Sequence, residues 1–260
     1  MNRRTFALTS AGAAAAASAS AAASRKGIFE LRFFKLRNTA ENQSQRLSEL
    51  LRNAVLPAAQ RAGIGPIGAF RNTMGGGEGP FVLLLMGFPS LAGMEAAREK
   101  LEADKEYAKQ LEAFHALPGL SYMRMENSLL RGFDSMPSIE VPPTEAKRPA
   151  RVFEIRQYES NTMATLRRKM KMFDDGEIGI FRRVGMQPVF FGETIVGRNL
   201  PNLTYMLGYD DLAHREKTWR AFGGDPEWQK LRATPGLSDV EVVSNITNYL
   251  VSPMPFSQIR

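Results

Sequence analysis

The sequence predicts an α+β fold: two tandem ferredoxin-like domains, each β-α-β-β-α-β, whose four-stranded antiparallel sheets pair face to face as an α+β barrel. Three observations predict it. The chain repeats itself: Phe29-Glu30-Leu31-Arg32 returns as Phe153-Glu154-Ile155-Arg156, Arg61-Ala62-Gly63-Ile64-Gly65-Pro66 as Arg183-Val184-Gly185-Met186-Gln187-Pro188, and Pro118-Gly119-Leu120-Ser121 as Pro235-Gly236-Leu237-Ser238. The offset shrinks from 124 to 117, which marks one duplicated fold with short loop deletions and is too long for a solenoid. Within each copy, strand-like alternation and helical periodicity follow one another in the same order.

In the first copy, residues 28–36 alternate and are rich in aromatics, a strand. Asn38-Thr39 offers a cap, and residues 40–61 read as a helix with Leu47, Leu50, Leu51, Ala54 and Val55 on one stripe. Pro57 bends it near its end, and Gly63 stops it. Residues 67–72 and 81–88 are the middle strands, joined by the glycine-rich loop 75–79. Ser90 caps a helix that is interrupted near Asp104 and resumes to residue 116. Residues 120–131 form the last strand.

The second copy keeps this order. Residues 151–158 are a strand and 162–183 a helix; 187–195 and 203–209 are the middle strands. Asp210 or Asp211 opens a helix that breaks at Gly223-Gly224. It restarts at Asp225-Pro226-Glu227, with Asp at the cap and Pro at the first helical position. Residues 238–251 close the sheet. Between the copies, residues 134–150 hold Pro137, Pro142, Pro143 and Pro149, an extended linker long enough for the domains to face each other. The expected division is an export signal over 1–25, a first domain over 26–133, the linker over 134–150 and a second domain over 151–254. The barrel is expected to close within one chain; further homo-oligomerisation through sheet edges or helices is compatible with it.

The first strand divides into two faces. Phe29, Leu31 and Phe33 are assigned to the helices. Glu30, Arg32 and Phe34 are assigned to the face turned toward the other domain. Phe153, Ile155 and Gln157 against Glu154, Arg156 and Tyr158 repeat the division.

The ends and the composition narrow the setting. Asn2-Arg3-Arg4-Thr5-Phe6 followed by an Ala-rich run ending near Ala21-Ala22-Ala23 is a twin-arginine export signal with a cleavage site. A bacterial, periplasmic or secreted protein follows from it, with no stable membrane anchor. The chain has no cysteine, which removes disulfides, thiolate chemistry and thiolate-bound metals. Its net charge of +7 is spread among acids, so no nucleic-acid partner is expected. The dense basic run Arg167-Arg168-Lys169 with Lys171 reads as a solvated helix face.

Glu30-Leu31-Arg32-Phe33-Phe34 and Glu154-Ile155-Arg156-Gln157-Tyr158 resemble the opening Glu-x-Arg-x-Tyr strand of the NIPSNAP family, in the dimeric α+β barrel superfamily. The glycine-proline step near Pro66 and Pro188 and the segments Asp104-Lys105-Glu106-Tyr107 and Asp225-Pro226-Glu227-Trp228 fit it too. The resemblance spans nearly the whole chain after the signal, once per copy. It implies a two-sheet barrel and no settled reaction; relatives with the same barrel include small monooxygenases, haem-linked enzymes and proteins of unknown role. Phe34 stands where the family strand has tyrosine, so only Tyr158 carries that hydroxyl.

The candidate ligand-binding set is Glu30, Arg32, Phe34, Glu154, Arg156 and Tyr158: a polar barrel floor in which arginine forks hold an anionic or carbonyl group. The same pairs also serve as charge neutralisation in a packed interface, and that reading takes precedence. Tyr158, Arg156 and His214 are the candidates for moving protons. His214 and His115 are not equivalent in the repeat and have no partner at ligand spacing, so no metal and no cofactor is expected. The expected role is a small-molecule-binding or interaction module whose ligand is small and apolar or aromatic. The alternative is a cofactor-independent monooxygenase or isomerase acting on such a molecule.

Overall fold

A computed structural model describes residues 26–75, 79–144 and 148–260. Residues 1–25, where an export signal is expected, and Gly76-Gly77-Glu78 of the glycine-rich loop lie outside the described residues. The strands are β1 Ile28–Lys35, β2 Ile67–Gly75, β3 Phe81–Phe88 and β4 Arg124–Gly132, then β5 Val152–Glu159, β6 Gln187–Val196, β7 Asn202–Tyr209 and β8 Asn245–Pro253. All eight form one closed barrel in the order β1-β3-β2-β8-β5-β7-β6-β4. Each half contributes four neighbouring strands. The halves join edge to edge along two antiparallel seams, β2 with β8 and β4 with β6.

Helices cover the outside of both half-sheets. In the first half, α1 Gln43–Leu50 runs through a π-helical turn, Leu51–Val55, into α2 Leu56–Ala62; α3 Leu91–Glu102 and α4 Lys105–His115 follow β3. In the second half, α5 Met163–Met172 runs through the π turn Phe173–Glu177 into α6 Ile178–Arg183. The helices α7 Leu212–Gly224, α8 Pro226–Arg232 and the short α9 Asp239–Val242 follow β7. The break before α8 has the expected chemistry: Asp225 accepts the N–H groups of Glu227 and Trp228, and Pro226 needs no partner at the first position. The π turn just ahead of Pro57 was not expected. A π turn at the same place in the second half has no proline, so it belongs to the repeated fold rather than to Pro57. The segment before β8 also differs from expectation, because Ser238 and Glu241 cap α9 reciprocally and delay the strand to Asn245.

The face assignment of the first strands is reversed. Phe29 and Leu31 of β1 pack with Phe153 and Ile155 of β5, Phe70, Leu83, Leu130, Phe190 and Val251 in one cluster inside the barrel. The rings of Phe29 and Phe190 sit 5.8 Å apart, and those of Phe70 and Phe153 5.3 Å apart. Glu30, Arg32 and Phe34, with Glu154, Arg156 and Tyr158, therefore lie under the helices and not on a barrel floor. Alternation separates two faces but does not say which is inner, since both are covered here. The ionic groups explain the outcome. The Arg32 side chain stays 24 % exposed at the helix margin, whereas the barrel centre gives a charge no route to water.

One end of the barrel is plugged. Ile139 from the linker and Ile259 from the C-terminal tail join the inner cluster. The tail is held along β2, where Ser257 Oγ and Gln258 Oε1 accept the N–H groups of Ala69 and Ile67. Among the described residues no helix is long and apolar enough to cross a membrane.

Candidate functional site between sheet and helices

The two Glu–Arg pairs start alike. Arg32 Nη2 donates to Glu30 Oε1 at 2.7 Å, and Arg156 Nη1 to Glu154 Oε1 at 2.9 Å. Glu30 and Glu154 are both buried, as i and i+2 spacing beneath a helix layer requires. From there the halves diverge. Glu30 gains one further described donor, Arg98 of α3 at 3.2 Å. Glu154 becomes the centre of a network. Arg215 of α7 bridges both its oxygens at 2.8 and 2.9 Å, Trp219 Nε1 donates at 3.1 Å, and the Tyr209 hydroxyl at 3.3 Å. Burial pushes the Glu154 carboxyl up, but the Arg215 and Arg156 guanidinium groups outweigh it and hold it below the ordinary range.

Arg156 links this carboxylate to a pair of tyrosines. Its Nη2 and Nε donate to the Tyr158 oxygen at 3.0 and 3.3 Å, and the Tyr205 hydroxyl donates to the same oxygen at 3.1 Å. The guanidinium also lies 4.6 Å from the Trp219 ring centroid. Burial raises Tyr205 and Tyr209 well above the usual phenol range, so both are neutral donors at ordinary pH.

Behind Tyr158 stands Lys169 of α5, expected on a solvated face and found buried. It shares one helical stripe with Leu166 and Phe173, and that stripe faces the sheet. Its ammonium meets Glu177 at 3.1 Å and Asp239 of α9 at 3.4 Å, amid the rings of Phe173, Trp228 and Tyr158. Burial pulls the Lys169 pKa down, but the two carboxylates raise it overall, so it stays charged. Burial raises Glu177 despite Lys169.

The first half supplies an internal control. Equivalent positions follow from the strand registers and the shared π turn. Where the second half has Tyr158, Tyr205, Tyr209, Lys169 and Glu177, the first has Phe34, Leu84, Phe88, Leu47 and Val55. All five first-half residues belong to, or pack on, one apolar cluster. The same fold thus closes with hydrocarbon in one half and with a buried polar network in the other.

Of the expected site residues, Glu154, Arg156 and Tyr158 come together. Glu30, Arg32 and Phe34 form the apolar-backed counterpart in the other half. His214 lies at the margin: in the first turn of α7 its Nδ1 accepts the backbone N–H of Asp210 at 3.2 Å and its ring meets Tyr209 edge-on at 6.4 Å, with no hydrogen bond to the Arg156 network among the described residues. Lys169, Glu177, Tyr205, Tyr209, Arg215 and Trp219 were not expected. Aligning the two copies and asking where hydrocarbon becomes polar would have found the first five, Arg215 of α7 standing where α3 has Met94. No group of three or more histidine, aspartate or glutamate side chains among the described residues is placed to hold a metal.

The NIPSNAP sequence profile matches residues 29–135 and again 153–258. The chain belongs to the NIPSNAP family. No curated protein matches it significantly. Among solved structures, a candidate monooxygenase of Fusobacterium nucleatum aligns over 88 % of this chain and 93 % of its own, with TM-score 0.59 and 6 % identity. An anthrone oxidase-like protein aligns over 89 % and 93 %, with TM-score 0.50 and 14 % identity. An uncharacterised NIPSNAP-like domain protein of Burkholderia xenovorans aligns over 42 % of this NIPSNAP chain and 89 % of its own, at 24 % identity and TM-score 0.37. At such identities the first two likenesses are of fold.

Proposed function

We propose that this NIPSNAP protein is an exported small-molecule-binding protein whose site is the helix–sheet layer of the second half, with the first half as its structural twin. One observation carries the reading: five positions that are hydrocarbon in the first half are ionisable or hydroxylated in the second. Stability does not call for them. A buried ion pair is on average no better than a well-packed apolar set of the same volume, and the first half supplies such a set on the same backbone. Buried polar groups retained where hydrocarbon also fits point to chemistry.

Arg156, Tyr158 and Tyr205 offer N–H and O–H donors, and Trp219 and Trp228 offer ring faces. That combination suits an aromatic molecule bearing a carbonyl, quinone or phenol oxygen. Such a ligand takes over donors now satisfied internally. Asp239 of α9, 56 % exposed on its side chain and paired with Lys169, is where the layer comes nearest to solvent. Turnover of the monooxygenase or isomerase type is a second reading, favoured by the two tyrosine hydroxyls set beside Arg156.

The chain's two tryptophans, Trp219 and Trp228, both border the layer and report on it. Quinones, aromatic acids and haem are titrated against the mature protein, following tryptophan fluorescence and melting temperature. A saturable change in both, lost when Tyr158→Phe and Lys169→Leu import the first-half residues, supports the reading. Unchanged binding in that folded double variant rejects the site. Turnover abolished in Tyr158→Phe under conditions where the variant is still fully folded promotes the enzyme reading; turnover that falls only with the folded fraction demotes it.

A further inference from the structure

We infer that the open end of the barrel is a second ligand site, separate from the helix–sheet layer, that takes a single-ring phenol or hydroxybenzoate. The barrel interior is apolar for most of its length and stoppered at one end by Ile139 and Ile259. At the other end a cavity of about 250 Å³ remains, enclosed by strands of both halves. Its wall includes Leu31, Phe33, Ile155 and Tyr249. Beyond them the inward positions change character, to Lys35, Gln157, Thr204 and Thr247.

A barrel rim is ordinarily polar because water reaches it. Here polar residues are sheltered even at the strand ends: Lys35, the last residue of β1, is 5 % exposed and Thr204 3 %. Polar groups this sheltered, around space left unfilled, are the arrangement of a recognition pocket.

The lining sets the ligand class. Phe33 and Tyr249 face the cavity with ring centroids 6.0 Å apart, and Phe81 packs edge-on against both, at 5.2 and 5.7 Å. A flat ring extends that wall by edge or offset contact. The Lys35 ammonium lies 5.2 Å from the Phe33 centroid and 3.9 Å from a Glu126 oxygen. Hydroxyls of Thr204 and Thr247 and the amide of Gln157 stand opposite. Such a rim hydrogen-bonds ring-borne hydroxyl or carboxylate oxygens. The volume lies just under the range that encloses drug-sized ligands, which limits the occupant to about one ring.

The test uses the mature full chain and 4-hydroxybenzoate, with phenol and cyclohexanecarboxylate for comparison, by calorimetry. Saturable binding of 4-hydroxybenzoate, with cyclohexanecarboxylate weaker by roughly tenfold or more, is expected. Thr247→Leu fills the mouth and weakens binding by at least roughly tenfold. Gly179→Ala, on the outer helix α6 with nothing within 4 Å of the added Cβ and in neither site, leaves it unchanged. No saturable binding of either aromatic, or equal binding by folded Thr247→Leu, overturns the inference. Binding lost in Tyr158→Phe but kept in Thr247→Leu overturns it too, while supporting the helix–sheet site.

Discussion

Lys169 reaches Glu177 across one π-helical turn, Nζ to Oε2 at 3.1 Å, with both side chains out of water. Removing one partner strands the other. Lys169→Leu or Glu177→Val alone is expected to cost about 3–5 kcal/mol, and the double variant far less, because it recreates the Leu47 and Val55 packing of the first half. Urea denaturation of the three variants measures this. In Lys169→Leu the cost has a pH sign. Burial holds the Glu177 pKa above its unfolded value, so the variant is least penalised in acid and loses stability as pH rises through that raised pKa.

Tyr158 is the acceptor on which Arg156 and Tyr205 depend. Tyr158→Phe leaves a buried hydroxyl and part of a guanidinium without a partner, an expected loss of about 1–3 kcal/mol. Tyr205→Phe removes only a donor and should cost nearer to about 1 kcal/mol. The double variant is expected to fall short of the sum of the singles, and a denaturation cycle reads the coupling directly.

Glu154 gives the opposite pH sign to Glu177. Its folded pKa is depressed, so its contribution is present above the unfolded carboxylate value and lost as pH falls through the lower folded one. Acid titration followed by tryptophan fluorescence should show a transition below the ordinary carboxylate range, because Trp219 donates to this carboxylate. Glu154→Gln should remove that step and be less stable at neutral pH.

The seam between β4 and β6 is tight at Gly192. A Cβ there would stand 2.8 Å from the Leu130 Cβ, with β4 backbone just beyond. Gly192→Ala is expected to cost about 1–3 kcal/mol by overpacking. Gly179 in α6 has nothing within 4 Å of an added Cβ, and Gly179→Ala should stabilise by about 0.5–1 kcal/mol. Thermal melts of the pair separate seam strain from a general intolerance of alanine.

The fold was legible because duplication doubles every weak signal. Asp225-Pro226 and Gly223-Gly224 fix a helix break that one copy alone would leave ambiguous. The inner face was not legible, since a strand covered on both sides alternates without declaring which side is the centre. Phe29 and Glu30 are both buried, and only the route of arginine heads to water tells their faces apart. Lys169 was misplaced because a run of basic residues suggests a wet surface, while helical geometry turns every third or fourth residue inward. Tyr205 and Tyr209 sit in a strand buried on both faces, where tyrosine looks like any other aromatic until Leu84 and Phe88 are set beside it.

The closure of all eight strands within one polypeptide frees the halves from symmetry. Two identical subunits must carry every substitution twice, so a costly residue appears on both sides of the ring. Joined in tandem, one side can keep its hydrocarbon packing while the other takes on buried polar groups, and dilution cannot part them. With no strand left unpaired around the ring, any larger assembly has to be built through the outer helices or the barrel ends.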